Sequence, residues 1–203
     1  MEQEEKKERR FELLIGVVLA VFAAVMAVCD LGAGKYGDDE MIANQKQTET
    51  YNWYQSKSIK QTLAEGQRDM LQALVNNNAI EMKAVAGVDT FIAELNTSVK
   101  RYKKEKDEIL KGSVAVGKEN WVQDVEGELG KIKGANEWKS EAEKLGSAGD
   151  VFDRATLFLQ MCLVFGAIAL IVNAKNLRWI FFLMMTGLGA IGAFYTVMAY
   201  LNV

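Results

Sequence analysis

Hydrophobic positions in this chain collect into three blocks that bracket a long charged middle. Leu13 to Cys29 is an unbroken run of 17 apolar or small residues, preceded by Arg9, Arg10 and Glu12 and followed by Asp30. The second block, Ala155 to Val172, has Thr156 and Gln160 near its start. The third, Trp179 to Tyr200, is 22 positions long and carries only Thr186 and Thr196 as mild polar interruptions. A helix crosses the hydrocarbon core with about 20 apolar residues, and with about 17 at the least. Each block therefore predicts a membrane-spanning helix. Burying all three inside a soluble fold would leave too little chain to cover them.

The middle is patterned differently. Gly32, Gly34 and Gly37 predict a loosened exit from the first span, and Asp38, Asp39 and Glu40 suit the first turn of a new helix. One long helix is expected to run to Val75, with Ile59, Leu63, Met70 and Leu74 on one side. Asn76-Asn77-Asn78 then breaks it, because Asn tolerates left-handed backbone. On the return, Val85, Val88, Ile92, Leu95, Val99 and Tyr102 alternate three and four apart, and Ile109 resumes the rhythm. Sustained 3-4 spacing predicts a coiled-coil seam. Ile59, Leu63, Met70 and Ala73, with Gly66 as a weak position, are the expected facing stripe. At about 1.5 Å per residue such a hairpin would reach on the order of 50 Å from the membrane. Lys100-Arg101 and Lys103 to Glu108 read as its solvated outer face.

Residues 112–150 carry seven glycines, from Gly112 to Gly149, yet Val122, Val125, Leu129 and Ile132 keep helical spacing. Short amphipathic helices at the bilayer surface are the expectation. Trp121 and Trp138 would then be interfacial anchors, or else pack on the base of the hairpin.

The predicted fold class is all-α: an integral membrane protein with three transmembrane helices and an extramembrane antiparallel coiled-coil hairpin. The expected plan is a cytoplasmic tail (1–12), a first span (13–31) and an extracytoplasmic helical region (32–154). That region divides into the hairpin (38–111) and the Gly-interrupted juxtamembrane helices (112–150). A second span (155–173), a cytoplasmic link (174–178) and a third span (179–200) follow. Orientation rests on Lys6, Lys7, Arg9 and Arg10 before the first span, and on Lys175 and Arg178 in the link. The positive-inside rule assigns both regions to the cytoplasm of a bacterial inner membrane, with the main soluble region periplasmic or extracellular. Met26-Ala27-Val28-Cys29 distantly resembles a lipoprotein cleavage box. However, Val28 is too large for the position before Cys and the apolar run too long, so an uncleaved anchor is expected.

Composition removes several chemistries. The 203 residues contain no Pro, which fits an all-helical chain. They contain no His, which excludes His-based acid–base catalysis, triads and His metal sites. The two cysteines, Cys29 and Cys162, lie in apolar blocks, so no disulfide framework is present. With 24 basic against 27 acidic residues the chain has no nucleic-acid footprint. No spacing marks a catalytic, metal or cofactor site, so none is assigned. Asp30 and Gln160, towards one side of the membrane, are the polar residues a pathway would use, although Asp30 reads more simply as wet interface. Gly16, Ala20, Ala24 and Ala27 form one small-residue face, and Gly189, Gly192, Ala193 and Thr196 another. Such faces let helices approach closely within one chain or between chains.

Two stretches carry a family resemblance: Asn52-Trp53-Tyr54-Gln55-Ser56-Lys57-Ser58-Ile59-Lys60 and Tyr102-Lys103-Lys104-Glu105-Lys106-Asp107-Glu108-Ile109. The chain resembles an uncharacterised bacterial membrane-protein family, domain of unknown function 4337. The resemblance implies one N-terminal span, a helical middle with a Y-Q-x-K-S-I-K-like stretch and two closing spans. It brings no activity, and stretch 112–150 is longer than it leads one to expect. Trp53, Tyr54, Gln55, Lys57 and Lys60 become the candidate functional residues, or else they lock the hairpin base to the first span. The expected function is a non-enzymatic, self-associating membrane scaffold or interaction protein. Its expected partners are membrane lipid, further copies of itself and an unidentified protein, with no cofactor and no nucleic acid. An oligomeric channel or transport accessory is the alternative.

Overall fold

The computed structural model describes residues 2–201, with side chains from residue 6 onward. The ends of the predicted N- and C-terminal tails lie outside the described residues. The element order is α1 (Glu2–Asn76), α2 (Met82–Lys111), α3 (Ser113–Val116), a 3-10 turn (Lys118–Asn120), β1 (Asp124–Val125), β2 (Glu128–Leu129), α4 (Ala135–Ile171) and α5 (Lys175–Leu201). The chain divides into two compact units, one of Met1–Met41 with Ala142–Val203, the other Ile42–Glu141.

The first unit is a three-helix bundle. Ile15, Cys162, Ala169 and Met185 form one buried cluster, and Cys29, Phe152, Ala155, Leu159 and Ala199 form another. Glu12 pairs with Arg178 and Val28 accepts a hydrogen bond from Tyr200, so α1 and α5 run in the same direction. Cys29 meets Phe152 and Thr156, whereas Leu19 approaches Gly166, so α4 runs opposite to α1. Small residues make the close approaches. A Cβ on Gly189 would meet the Phe22 ring at 2.5 Å, and one on Gly192 would meet Leu159 at 2.7 Å. The Gly189–Gly192 face is thus consumed inside the chain, whereas Gly16 faces open space.

Three helices are long and apolar enough to cross a membrane. Within their most apolar windows only 6 %, 28 % and 22 % of positions are buried, so the bundle turns most of its apolar surface outward. Leu13, Val17, Leu183, Phe194 and Val197 are all more than half exposed. Water would make that arrangement costly, at roughly 25 cal/mol for each Å² of apolar surface, whereas a lipid environment would not. The bundle has the surface of a membrane-associated protein.

The predicted break after the first span does not occur: α1 is helical throughout from Glu2 to Asn76. Gly32 serves close packing there. A Cβ at that position would sit 2.6 Å from the Phe152 ring and from the Tyr200 hydroxyl. Phe152 also makes aromatic contacts with Tyr36 and Tyr200, at 5.4 and 5.0 Å, beside this glycine.

In the second unit α2 lies antiparallel to the later part of α1. Arg68 reaches Asn96, whereas Lys57, earlier on α1, reaches Glu105, later on α2, so partners step in opposite directions. α1 ends at Asn76, and Asn78 turns the chain with φ 53°. The face that α2 presents is the predicted one, with Ile92, Leu95 and Ile109 buried. The face that α1 presents is not. Ile59, Leu63 and Met70 are 61 %, 61 % and 67 % exposed, while Ala64 is buried and Tyr54, Lys57, Ser58, Gln61 and Arg68 are at least half-buried. The hairpin closes on a largely polar side of α1 and leaves the apolar stripe outside.

Val122, Val125, Leu129 and Ile132, spaced as if on a helix, lie on extended and turn backbone. Val125 pairs with Glu128 across Glu126-Gly127, both with positive φ, 57° and 85°. Two such residues make the tight turn whose twist suits a hairpin, and Gly127 takes it without steric cost. Asp124 Oδ1 accepts the Gly127 N–H at 2.6 Å and fixes the turn.

Candidate functional site

The two stretches that carry the family resemblance face one another in the second unit. Lys57 Nζ lies 2.7 Å from Glu105 Oε2, with the two side chains 16 % and 7 % exposed. Arg101, a turn earlier on α2, places its Nε 3.4 Å from the other Glu105 oxygen. Lys106 Nζ sits 5.3 Å from the centre of the Tyr54 ring and 3.5 Å from Ser58 Oγ. One turn along α1, Gln61 Nε2 donates to Glu65 Oε1 at 2.8 Å. Gln61 Oε1 is buried without a hydrogen-bond partner among the described residues. Arg68 ends the strip by donating to Asp69 and to Asn96 Oδ1.

The family resemblance picks out part of this strip. Tyr54 and Lys57 are in it and Trp53 is half-buried, but Gln55 and Lys60 are exposed on other faces of α1. Glu105, Ser58 and Lys106 belong to the quoted stretches without having been named as candidates, and Gln61 lies just beyond the first. Their signal in the sequence is a polar run at helical spacing, i to i+4 to i+7, beside the apolar positions that predict the seam. Chemically the strip is an ion-pair lock. A slip of one helical turn would leave the Glu105 carboxylate buried without Lys57, so the pair fixes the register of α1 against α2.

A second buried carboxylate organises stretch 112–134. Glu108 is fully buried at the end of α2. Its Oε1 accepts the Ser113 hydroxyl at 2.7 Å, and its Oε2 accepts the backbone N–H groups of Val122 and Gln123, both at 2.9 Å. Ser113 Oγ in turn accepts the Ile132 N–H at 3.0 Å. The Trp121 indole N–H donates to the Ser113 carbonyl at 2.7 Å, and its ring covers Gly130 where a Cβ would clash. Trp121 is therefore engaged within this loop, and Trp138 is half-buried beneath Lys133, whose ammonium lies 3.7 Å from the ring centre. Every polar contact of Glu108 is spent on holding the chain.

Of the residues suggested for a membrane pathway, Asp30 is on α1 and Gln160 on α4. Asp30 Oδ1 accepts the Thr156 hydroxyl at 3.3 Å, and Gln160, the next turn on, has an exposed side chain. On the outer face of α1, hydrogen bonds from Lys46 and Gln45 hold the Glu49 carboxyl below its usual range. This is the behaviour of a solvated helix pair. Among the described residues no group of Cys, Asp and Glu side chains is placed to hold a metal ion.

Neither the curated proteins nor the solved structures contain a match to this chain. A family model described as a domain of unknown function, DUF4337, matches residues 11–202. That match takes in all three apolar helices and both stretches of the polar strip, and by it the chain belongs to the DUF4337 family.

Proposed function

We propose that this chain is a multi-pass membrane protein with a structural role, self-associating to present its α1–α2 pair as a scaffold or interaction module, and catalysing no reaction. The observation that carries the proposal is the apolar stripe on α1. Ile59, Leu63, Gly66, Met70 and Ala73 step by four, three, four and three, and all are exposed. Nothing lies within 4 Å of where a Gly66 Cβ would project. Heptad alternation matches the pitch of a neighbouring helix, which is how coiled-coil seams are covered. Because α2 occupies another face of α1, the cover is supplied by a second copy.

Gln160 supports the same reading within the lipid. An amide on the outside of a span has no water to bond and finds its partner on a neighbouring helix. For orientation, the basic N-terminal segment and the α4–α5 link meet through Glu8–Lys175 and Glu12–Arg178. The positive-inside rule then assigns that end to the cytoplasm and Ile42–Glu141 to the outer side of an inner membrane. A transport role has less behind it, since Asp30 is engaged with Thr156.

The test is the mass of the full-length protein in detergent. The wild type is expected at a multiple of its 22.6 kDa chain. Leu63→Glu/Met70→Glu should shift it towards monomer while helicity is kept. A wild type that is monomeric at all concentrations and in lipid nanodiscs overturns the proposal.

A further inference from the structure

At the end of the bundle where α1 and α5 begin, a cavity of about 410 Å³ is lined by Lys7, Glu8, Phe11, Lys175, Arg178 and Trp179. Cations outnumber carboxylates in its lining by three to one. The Arg178 side chain is 9 % exposed and held in place, its Nε donating to the Val172 carbonyl at 2.9 Å and its Nη1 lying 3.2 Å from Glu12. Lys175 Nζ pairs with Glu8 at 3.1 Å. The opposite wall is aromatic, with Phe11 stacked on Trp179 at 4.7 Å and Phe182 packed edge-on to both.

From these observations we infer that the cavity is a binding site for the phosphodiester headgroup of an anionic phospholipid. The inference rests on the membrane-spanning reading above. Three features point to that ligand chemistry. With Glu12 counted beside Glu8, the cations Lys7, Lys175 and Arg178 still exceed the carboxylates by one, and a guanidinium fixed by two acceptors is preorganised to meet phosphate oxygens. The first residues of α5, a 27-residue helix, add the positive end of its dipole to the same place. Finally, the cavity lies where both sequences change from charged to apolar, just before Leu13 and at Trp179. One turn beyond Trp179 along α5, Leu183 is 61 % exposed and extends the apolar surface along which an acyl chain can lie. A soluble phosphate would use the cations but not the apolar wall. Basic pockets between spans on the cytoplasmic side are a recurrent way of holding anionic headgroups.

The experiment uses full-length, delipidated protein in detergent, read by native mass spectrometry and thermal unfolding. Phosphatidylglycerol, phosphatidylcholine and glycerol 3-phosphate are added separately. Phosphatidylglycerol should remain bound and raise the unfolding temperature, whereas phosphatidylcholine should be lost and glycerol 3-phosphate should have little effect. In Lys7→Gln/Lys175→Gln, whose changes are at exposed positions, phosphatidylglycerol affinity should fall by about fivefold per lysine. Equal retention of the two lipids overturns the inference, as does a preference that the double variant leaves unchanged. An equal response to glycerol 3-phosphate overturns the lipid as the source of the phosphate. The lipid comparison on the wild type decides the matter even if the variant folds poorly. Release of the wild-type chain from membranes by alkaline carbonate would instead defeat the membrane-spanning reading itself.

Discussion

Lys57 on α1 and Glu105 on α2 meet at 2.7 Å with both side chains largely removed from water. Burying one charge without the other is expensive, and removing one partner of a buried pair costs about 3–5 kcal/mol. Arg101 remains 3.4 Å from Glu105, so Lys57→Met should destabilise by about 3 kcal/mol, the lower end of that range. The double variant Lys57→Met/Glu105→Leu should recover most of the loss, since apolar pairs of similar volume replace buried ion pairs well. Chemical denaturation of both variants measures the difference. A double variant no more stable than the single one would show that the strip stabilises through something other than this pair.

Glu108 gives a sharper, local prediction. Glu108→Ala strips the acceptor from the Ser113 hydroxyl and from two backbone N–H groups, each costing about 1–3 kcal/mol when buried and unsatisfied. Amide hydrogen exchange at Val122, Gln123 and Ile132 should then accelerate by at least tenfold. Ile92 and Leu95, buried earlier on α2, should change little unless the whole unit unfolds. Uniform acceleration across α2 would mean that the loop and the helix pair unfold together.

The bundle offers a paired contrast between two glycines. Gly192→Val adds bulk where a Cβ already meets Leu159 at 2.7 Å and the Ala155 carbonyl oxygen at 3.2 Å. Overpacking of this kind costs about 1–3 kcal/mol. Gly16→Ala adds a methyl where nothing lies within 4 Å, so the folded bundle should tolerate it. Thermal unfolding in detergent tests both. A loss at Gly16 as large as that at Gly192 would indicate that the Gly16 face is covered by another helix.

These contrasts also mark what the sequence could show. The apolar blocks and the 3-4 rhythm from Val85 to Ile109 were legible because solvation writes them directly into residue type. The partner face on α1 was not. Apolar periodicity says that Ile59, Leu63 and Met70 share a side, but it does not say which side α2 takes, and polar groups that satisfy one another can win that contact. The site was legible only as two short stretches, because the Lys57–Glu105 pair joins residues 48 positions apart. The loop after α2 was misread for a different reason. Val122, Val125, Leu129 and Ile132 keep helical spacing, but the turn chemistry of Asp124, Glu126 and Gly127 overrides it and fixes two positive φ angles. In sequence Gly32 predicts a loosened exit, whereas in the structure it lets the Phe152 ring approach a helix that continues without a break.

The proposed orientation can be tested because the native thiols are out of reach. Cys29 and Cys162 are unpaired but fully buried, so a membrane-impermeant maleimide should leave the wild type unlabelled. Asn77 is exposed in the turn between α1 and α2, and Asn173 is exposed in the link between α4 and α5. With the basic link held in the cytoplasm, Asn77→Cys should label on intact cells, after outer-membrane permeabilisation where there is an outer membrane. Asn173→Cys should label only once the inner membrane is broken. The opposite pattern would invert the topology. Labelling of both on intact cells would mean that the link, too, lies outside, which an odd number of crossings between the two positions forbids.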